Sequence, residues 1–204
     1  MKEYDKITNI CSLLNGFSEQ DWKTLGEVTD KTIPWIPDMV KTFYQVIDNF
    51  LESATEYFPE IKNIKIGNSQ EERIKIVTDW LTEILSGTPN ENYWHRIWIV
   101  GLVHGFHSIK PLYIIGIMSA VQSIFLSNCV NKFEHDEALK IFTAFKKITD
   151  TTTACIIESN MHGLTRGMIM VGMNESLINN IKTNAVKRLI KQERSKLEAH
   201  SDES

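Results

Sequence analysis

Along nearly the whole chain apolar residues recur at intervals of three and four, and nowhere do four to eight residues alternate apolar with polar. The first pattern lays one apolar stripe along a helix and the second would mark a half-buried strand, so the chain is expected to be all-α. Turn signals then divide it. Ser18-Glu-Gln-Asp21 has the form of a capping box and opens a first helix through Trp22 and Leu25. Pro34 and Pro37 interrupt, a second helix runs from about Asp38 through Phe50, and Pro59 with the stretch 63–69 forms a loop. A helix through Ile74, Val77, Leu81 and Ile84 ends at Gly87 and Pro89. The next carries Trp94, Ile97, Trp98 and Phe106 and breaks at Lys110-Pro111. Proline's missing N–H is harmless in a first turn, so a long helix restarts at Pro111 and runs to about Asn131.

From His135 another helix carries Ile141, Phe145, Ile148, Thr152, Cys155 and Ser159, a seam stepping by four and three that suits pairing with another helix. The run Thr149 to Thr153 is unusual inside a helix. Gly163, Gly167 and Gly172 loosen the chain, and from Asn174 an amphipathic segment places Leu177, Ile178, Ile181, Ala185 and Leu189 on one face. Between Lys182 and Lys196 it holds six basic residues and one acid. The expected division is a domain over 1–160 and a C-terminal helical extension over 161–204.

With 204 residues, 42% of them hydrophobic, the chain is large enough to bury a core that also encloses a ligand. Its net charge of −4 gives no footprint for nucleic acid. Cys11, Cys129 and Cys155 are odd in number and widely spaced, which excludes a disulfide framework and reads as reduced core thiols. No signal-peptide run follows the N-terminus, so a cytoplasmic location is expected. Pro111 to Asn131 lacks charge and is long enough to span a bilayer, but Ser119, Gln122, Ser123, Ser127, Asn128 and Asn131 interrupt it. A buried bundle helix, with no membrane span, is the expected outcome.

Chemistry concentrates between Ile99 and Gly116. A histidine in an apolar helix is either hydrogen-bonded and neutral in the core or holds a metal through a neutral ring nitrogen. Gly101 lies one turn before His104 on the same face and removes a side chain that would obstruct a large flat ligand. Gly105 follows, the helix is rich in Trp, Ile, Val and Phe, and a proline fixes where the next helix begins. This combination asks for haem. His107, three residues on, is the rival ligand; a zinc pair made of the two histidines would need two more ligands.

The same residues resemble the sensor-globin and protoglobin family, which includes the haem domains of globin-coupled sensors. Gly101, His104, Pro111 and Gly116 match the spacing around that family's proximal histidine, and Ser86-Gly87 followed by Tyr93 matches the approach to it. Glu19 to Leu25 is similar to the family's extra N-terminal helix, Phe43-Tyr44 to its aromatic-tyrosine pair, and Phe145 to Asp150 to its last globin helix. The likeness spans about Phe17 to Asn160. The chain departs from the pattern at His107-Ser108-Ile109 and at Tyr113-Ile114, and is one residue shorter near Ile74.

The resemblance implies a globin fold with an extra N-terminal helix, and a b-type haem whose iron is held by His104. Its other ring nitrogen should bond a backbone carbonyl or a side chain. Tyr44 would offer a hydroxyl on the opposite face, with Phe43, Ile74 and Val77 lining the pocket and Trp98 and Gly101 beside His104. The implied function is reversible binding of a diatomic gas, O2, CO or NO, as a sensor or protoglobin-like binder. A homodimer would form through the helices Leu112 to Asn131 and Glu137 to Asn160. Only 44 residues follow Asn160, so a signal would leave through the tail or a downstream partner. A haem-free interaction module and a haem redox enzyme are the competing readings.

Overall fold

A computed structural model of the chain describes residues 2–54 and 69–201; the loop expected at Pro59 and over 63–68 lies outside the described residues. Every regular element in them is helical, as the periodicity requires. In chain order these are α1 (Glu3–Asn15), α2 (Glu19–Gly26), α3 (Thr29–Thr32), a 3-10 turn (Ile33–Trp35), α4 (Ile36–Ala54), α5 (Gln70–Ser86), α6 (Tyr93–Phe106), α7 (Pro111–Lys132), α8 (His135–Met170), α9 (Glu175–Asn180), a π turn (Ile181–Ala185) and α10 (Val186–Ser201). They fall into two compact units, Met1–Asn160 and Met161–Ser204.

The expected punctuation forms. The Asp21 carboxylate accepts from the Ser18 N–H at 2.8 Å, and Ser69 and Glu72 cap α5 reciprocally at 3.1 and 3.2 Å. Gly87 closes α5 with φ 66°, where a Cβ would lie 2.4 Å from the Trp22 carbonyl oxygen, so only glycine lets α5 end against α2. Pro111 opens α7.

Three readings are corrected. A helix, α1, precedes the one opened at Ser18. It escapes the pattern because its inner face is only Tyr4, Ile7 and Cys11, while Leu13 and Leu14 stand 87% and 81% exposed. Pro37 does not interrupt α4, which begins at Ile36 and takes the proline in its first turn, where the ring does no harm. Gly163 and Gly167 do not loosen the chain: α8 runs through both to Met170, and the break comes only at Gly172, whose φ is 95°.

A main core fills the first unit, with a small second cluster of Phe50, Leu51 and Ile109 around Tyr113. α7 contributes Val121, Phe125 and Cys129, and α8 contributes Ile141, Phe145, Ile148 and Cys155, with Phe125 and Phe145 stacked at 3.8 Å. The four-three seam of α8 is therefore spent inside the subunit, and Phe145 and Ile148 are fully buried. α7 is the described helix long and apolar enough to cross a membrane by length and composition, yet Ile114, Met118, Val121, Phe125 and Cys129 on it are buried. The threonine run has a physical account. Thr149, Thr151 and Thr153 return their hydroxyls to the carbonyls of Phe145, Lys147 and Thr149, while Thr149 also accepts from Gln122 at 2.9 Å.

Thr152 instead meets Tyr93. The phenol, wholly buried among Trp22 and Trp94, lies 3.0 Å from the Thr152 hydroxyl and accepts from the Trp80 indole N–H at 3.1 Å. Burial pushes its pKa far up, so it stays protonated and ties α5, α6 and α8 together. Tyr93→Phe leaves the buried Thr152 hydroxyl and the half-buried Trp80 indole N–H without their partner, and denaturant titration should show a loss of about 1–3 kcal/mol with an unchanged slope.

Candidate functional site

The site is built on the way α6 meets α8. A Cβ on Gly101 would lie 2.3 Å from both the Ile156 carbonyl oxygen and the Ser159 hydroxyl, so the two backbones touch and nothing larger than glycine fits. This corrects the reading of Gly101 as clearance for a flat ligand: its missing side chain admits α8. The Ser159 hydroxyl donates to the Trp98 carbonyl, and Asn160 donates from Nδ2 to the Ile109 carbonyl at 3.0 Å, beside Gly105. The corner after α6 is thus pinned to α8. Ser108 takes a left-handed φ of 57° within it, and the Ile109 N–H closes back on the His104 carbonyl at 2.9 Å.

Held this way, His104 is half-buried, and its Nδ1 lies 2.7 Å from the Val100 carbonyl oxygen one turn earlier. A carbonyl can only accept, so Nδ1 carries the proton and Nε2 keeps its lone pair. Burial is the main influence on the ring and lowers its pKa; the Val100 bond opposes this and His107 adds to it. The imidazole is therefore neutral at neutral pH, with one nitrogen fixed and the other available. His107 is also half-buried, but its ring lies edge-on to Phe106 at 5.0 Å, and among the described residues no hydrogen bond orients it.

Phe43 and Tyr44 come from α4, whose packing against α5 puts both on the same core cluster as Val77, Trp98 and Val100. All five remain half-buried. Phe43 and Tyr44 meet edge to face at 5.2 Å. Burial raises the Tyr44 pKa against the pull of the Arg73 guanidinium, so the phenol is a donor at neutral pH. Ile74 stands at the rim, 37% exposed, and Ile76 is turned outward. No described contact joins Tyr44 to His104.

Arg73 was not among the residues singled out by sequence. It occupies the position one turn before Val77 on the inward stripe that continues through Leu81 and Ile84, and its Nε is buried with no hydrogen-bond partner. A cation in an apolar stripe was the available signal. A buried guanidinium nitrogen without a partner fits a ligand that brings anionic groups. The described residues contain no group of three or more His, Cys, Asp or Glu able to hold a bare ion, and a metal that brings its own ligands suits the single ring nitrogen of His104. A porphyrin with its carboxylates meets both conditions.

The protoglobin family model matches residues 3–164. Among solved structures, the globin domain of the Geobacter sulfurreducens globin-coupled sensor is similar at a TM-score of 0.60 and 19% identity, over 74% of this chain and 95% of that one. No curated protein sequence matches. At that identity the structural likeness speaks for the globin fold alone; the family model covers most of the chain, including α6 and its histidine, and on that ground the chain belongs to the protoglobin family.

Proposed function

We propose that this protein binds one haem through His104 Nε2 and uses it to hold a diatomic gas reversibly. The observation that carries the reading is the 2.7 Å bond from His104 Nδ1 to the Val100 carbonyl, which fixes the tautomer a metal-ligating histidine needs. The three cysteines are isolated from one another and from any histidine in the spacing that attaches haem covalently, which favours a b-type group. Haem, when bound, supplies an iron able to take a small gas as ligand.

The chain's own residues do the rest. Val100 holds the His104 ring in orientation, and Trp98, Val77 and Phe43 keep water from the pocket. Ile74 lies at its edge, and Gly101 acts at one remove by seating α6. Arg73 would offset the carboxylates of the macrocycle. The Tyr44 hydroxyl would donate to dioxygen, whose outer atom gains negative charge on binding, and much less to carbon monoxide. Release of a signal, where the protein serves as a sensor, would run through the segment after Asn160 or a partner protein.

A dimer is proposed through the outer face of α7, where Leu112, Ile115, Leu126 and Val130 stand exposed at three- and four-residue steps with Ser119 and Ser123 between them. On the second helix expected at that interface, Glu137 to Asn160, Phe145 and Ile148 lie inside the subunit.

The visible spectrum of purified protein, ferric, reduced and under dioxygen, tests the haem assignment. His104→Ala should abolish normal loading or open the iron to added imidazole, while His107→Ala keeps the wild-type ferrous spectrum; the reverse result moves the ligand to His107. Tyr44→Phe should raise the dioxygen off-rate about ten- to a hundredfold, because a hydrogen bond to a charged group contributes roughly 1.5 to 3 kcal/mol. Equal stopped-flow rates would mean that the hydroxyl points elsewhere. Leu126→Glu should shift sedimentation toward the 23.5 kDa monomer without unfolding it, whereas Phe145→Glu should destroy the fold itself.

A further inference from the structure

The second unit carries a surface that gas binding does not use. Residues 179 to 196 are all exposed. Among them Ile181, Val186, Leu189 and Ile190 stand 47 to 55% open to solvent, with Leu177 just before them at 49%. Exposed apolar residues singly mean nothing; here they are aligned. Ile181 and Val186 are five apart, which in an α-helix turns them about 140° from each other. The π turn Ile181–Ala185 accommodates the extra residue and sets Val186 over Ile181. Leu177, Ile181, Val186 and Leu189 with Ile190 therefore form one ridge.

On α10 Arg188 and Lys191 lie opposite that ridge, and Lys187 and Arg194 flank it, one turn before and one turn after Ile190. None of the four makes an ion pair among the described residues. The acid within 182–196, Glu193, is taken up by Lys196 at 2.6 Å. The helix thus has an apolar edge from Leu177 to Ile190, ended by the Glu193–Lys196 pair on the same face, beside an unneutralised cationic face, while the chain as a whole is acidic.

We propose that the helix over residues 175–201 is a surface anchor that lies lengthwise on an anionic lipid bilayer. Its ridge would sink into the acyl boundary and its four free cations would sit among the headgroups. A bilayer satisfies both faces together. A nucleic acid would take the cations and leave the ridge wet. A second copy of the helix would need an unbroken seven-residue repeat, which the five-residue step at the π turn interrupts.

The test uses the full chain and sedimentation with vesicles of phosphatidylcholine alone or with about one third phosphatidylserine, at low and at high salt. The protein should bind the phosphatidylserine vesicles, bind phosphatidylcholine little, and dissociate as salt shortens the reach of the charges. Replacing Lys187, Arg188, Lys191 and Arg194 by Gln should weaken binding roughly fivefold per residue. L189S and I190S should each weaken it roughly tenfold. Because all six positions are exposed, circular dichroism should show these variants folded, and haem loading should be unchanged. Absence of binding to phosphatidylserine vesicles, equal binding to both vesicle types, or full binding by the variants would overturn the anchor. So would a shift from dimer to monomer on L189S, which would assign the ridge to a second copy of the chain.

Discussion

The contact of α6 with α8 at Gly101 is the constraint on which the site depends. Two helix backbones approach this closely only where a side chain is missing, and once they do, hydrogen bonds from Ser159 and Asn160 can reach the carbonyls of Trp98 and Ile109 on either side of it. These bonds fix the rotation of α6 about its axis and the position at which it stops. Both quantities determine where His104 points. A larger residue at 101 would collide with backbone, which has no rotamer to give way, so the helix would have to move and the ring with it.

The candidate site residues combine polar and apolar groups. His104 is held neutral by burial and committed to one tautomer by Val100, while Tyr44 keeps its proton and Arg73 has a buried nitrogen without a partner. A core made only for stability would replace Arg73 by an aliphatic residue on the same stripe. By contrast, the Tyr93, Trp80 and Thr152 network is centred on a fully buried phenol and is internally satisfied, and belongs to the scaffold. The two kinds of buried polar group are told apart by whether their partners are already present.

Much of this was legible in the residues. Periodicity identified α5, α6 and α7 close to their observed ends, because capping serines, glycines at positive φ and a proline at a first turn act locally and need no distant partner. The glycines of α8 misled for the complementary reason. A glycine weakens a helix by only about 1 kcal/mol, and local propensity cannot register a long helix whose earlier turns are buried against α6 and α7. α1 was missed because its inner face is three residues wide and its exposed leucines blur the stripe.

At the site, the sequence by itself determined which ring is the candidate ligand, since His104 lies in an apolar helix at a set distance from Gly101 and Pro111, and it determined the aromatic pair on α4. Tertiary structure decided the rest. It gave Gly101 to a helix crossing, turned the α8 seam inward, buried the Arg73 Nε without a partner and oriented His104 through Val100. The reason lies in the range of the interactions involved. Caps, turns and helix periods are settled within one or two turns of chain, whereas the partner of a glycine, a guanidinium or a seam of apolar residues is chosen by packing between segments distant in sequence.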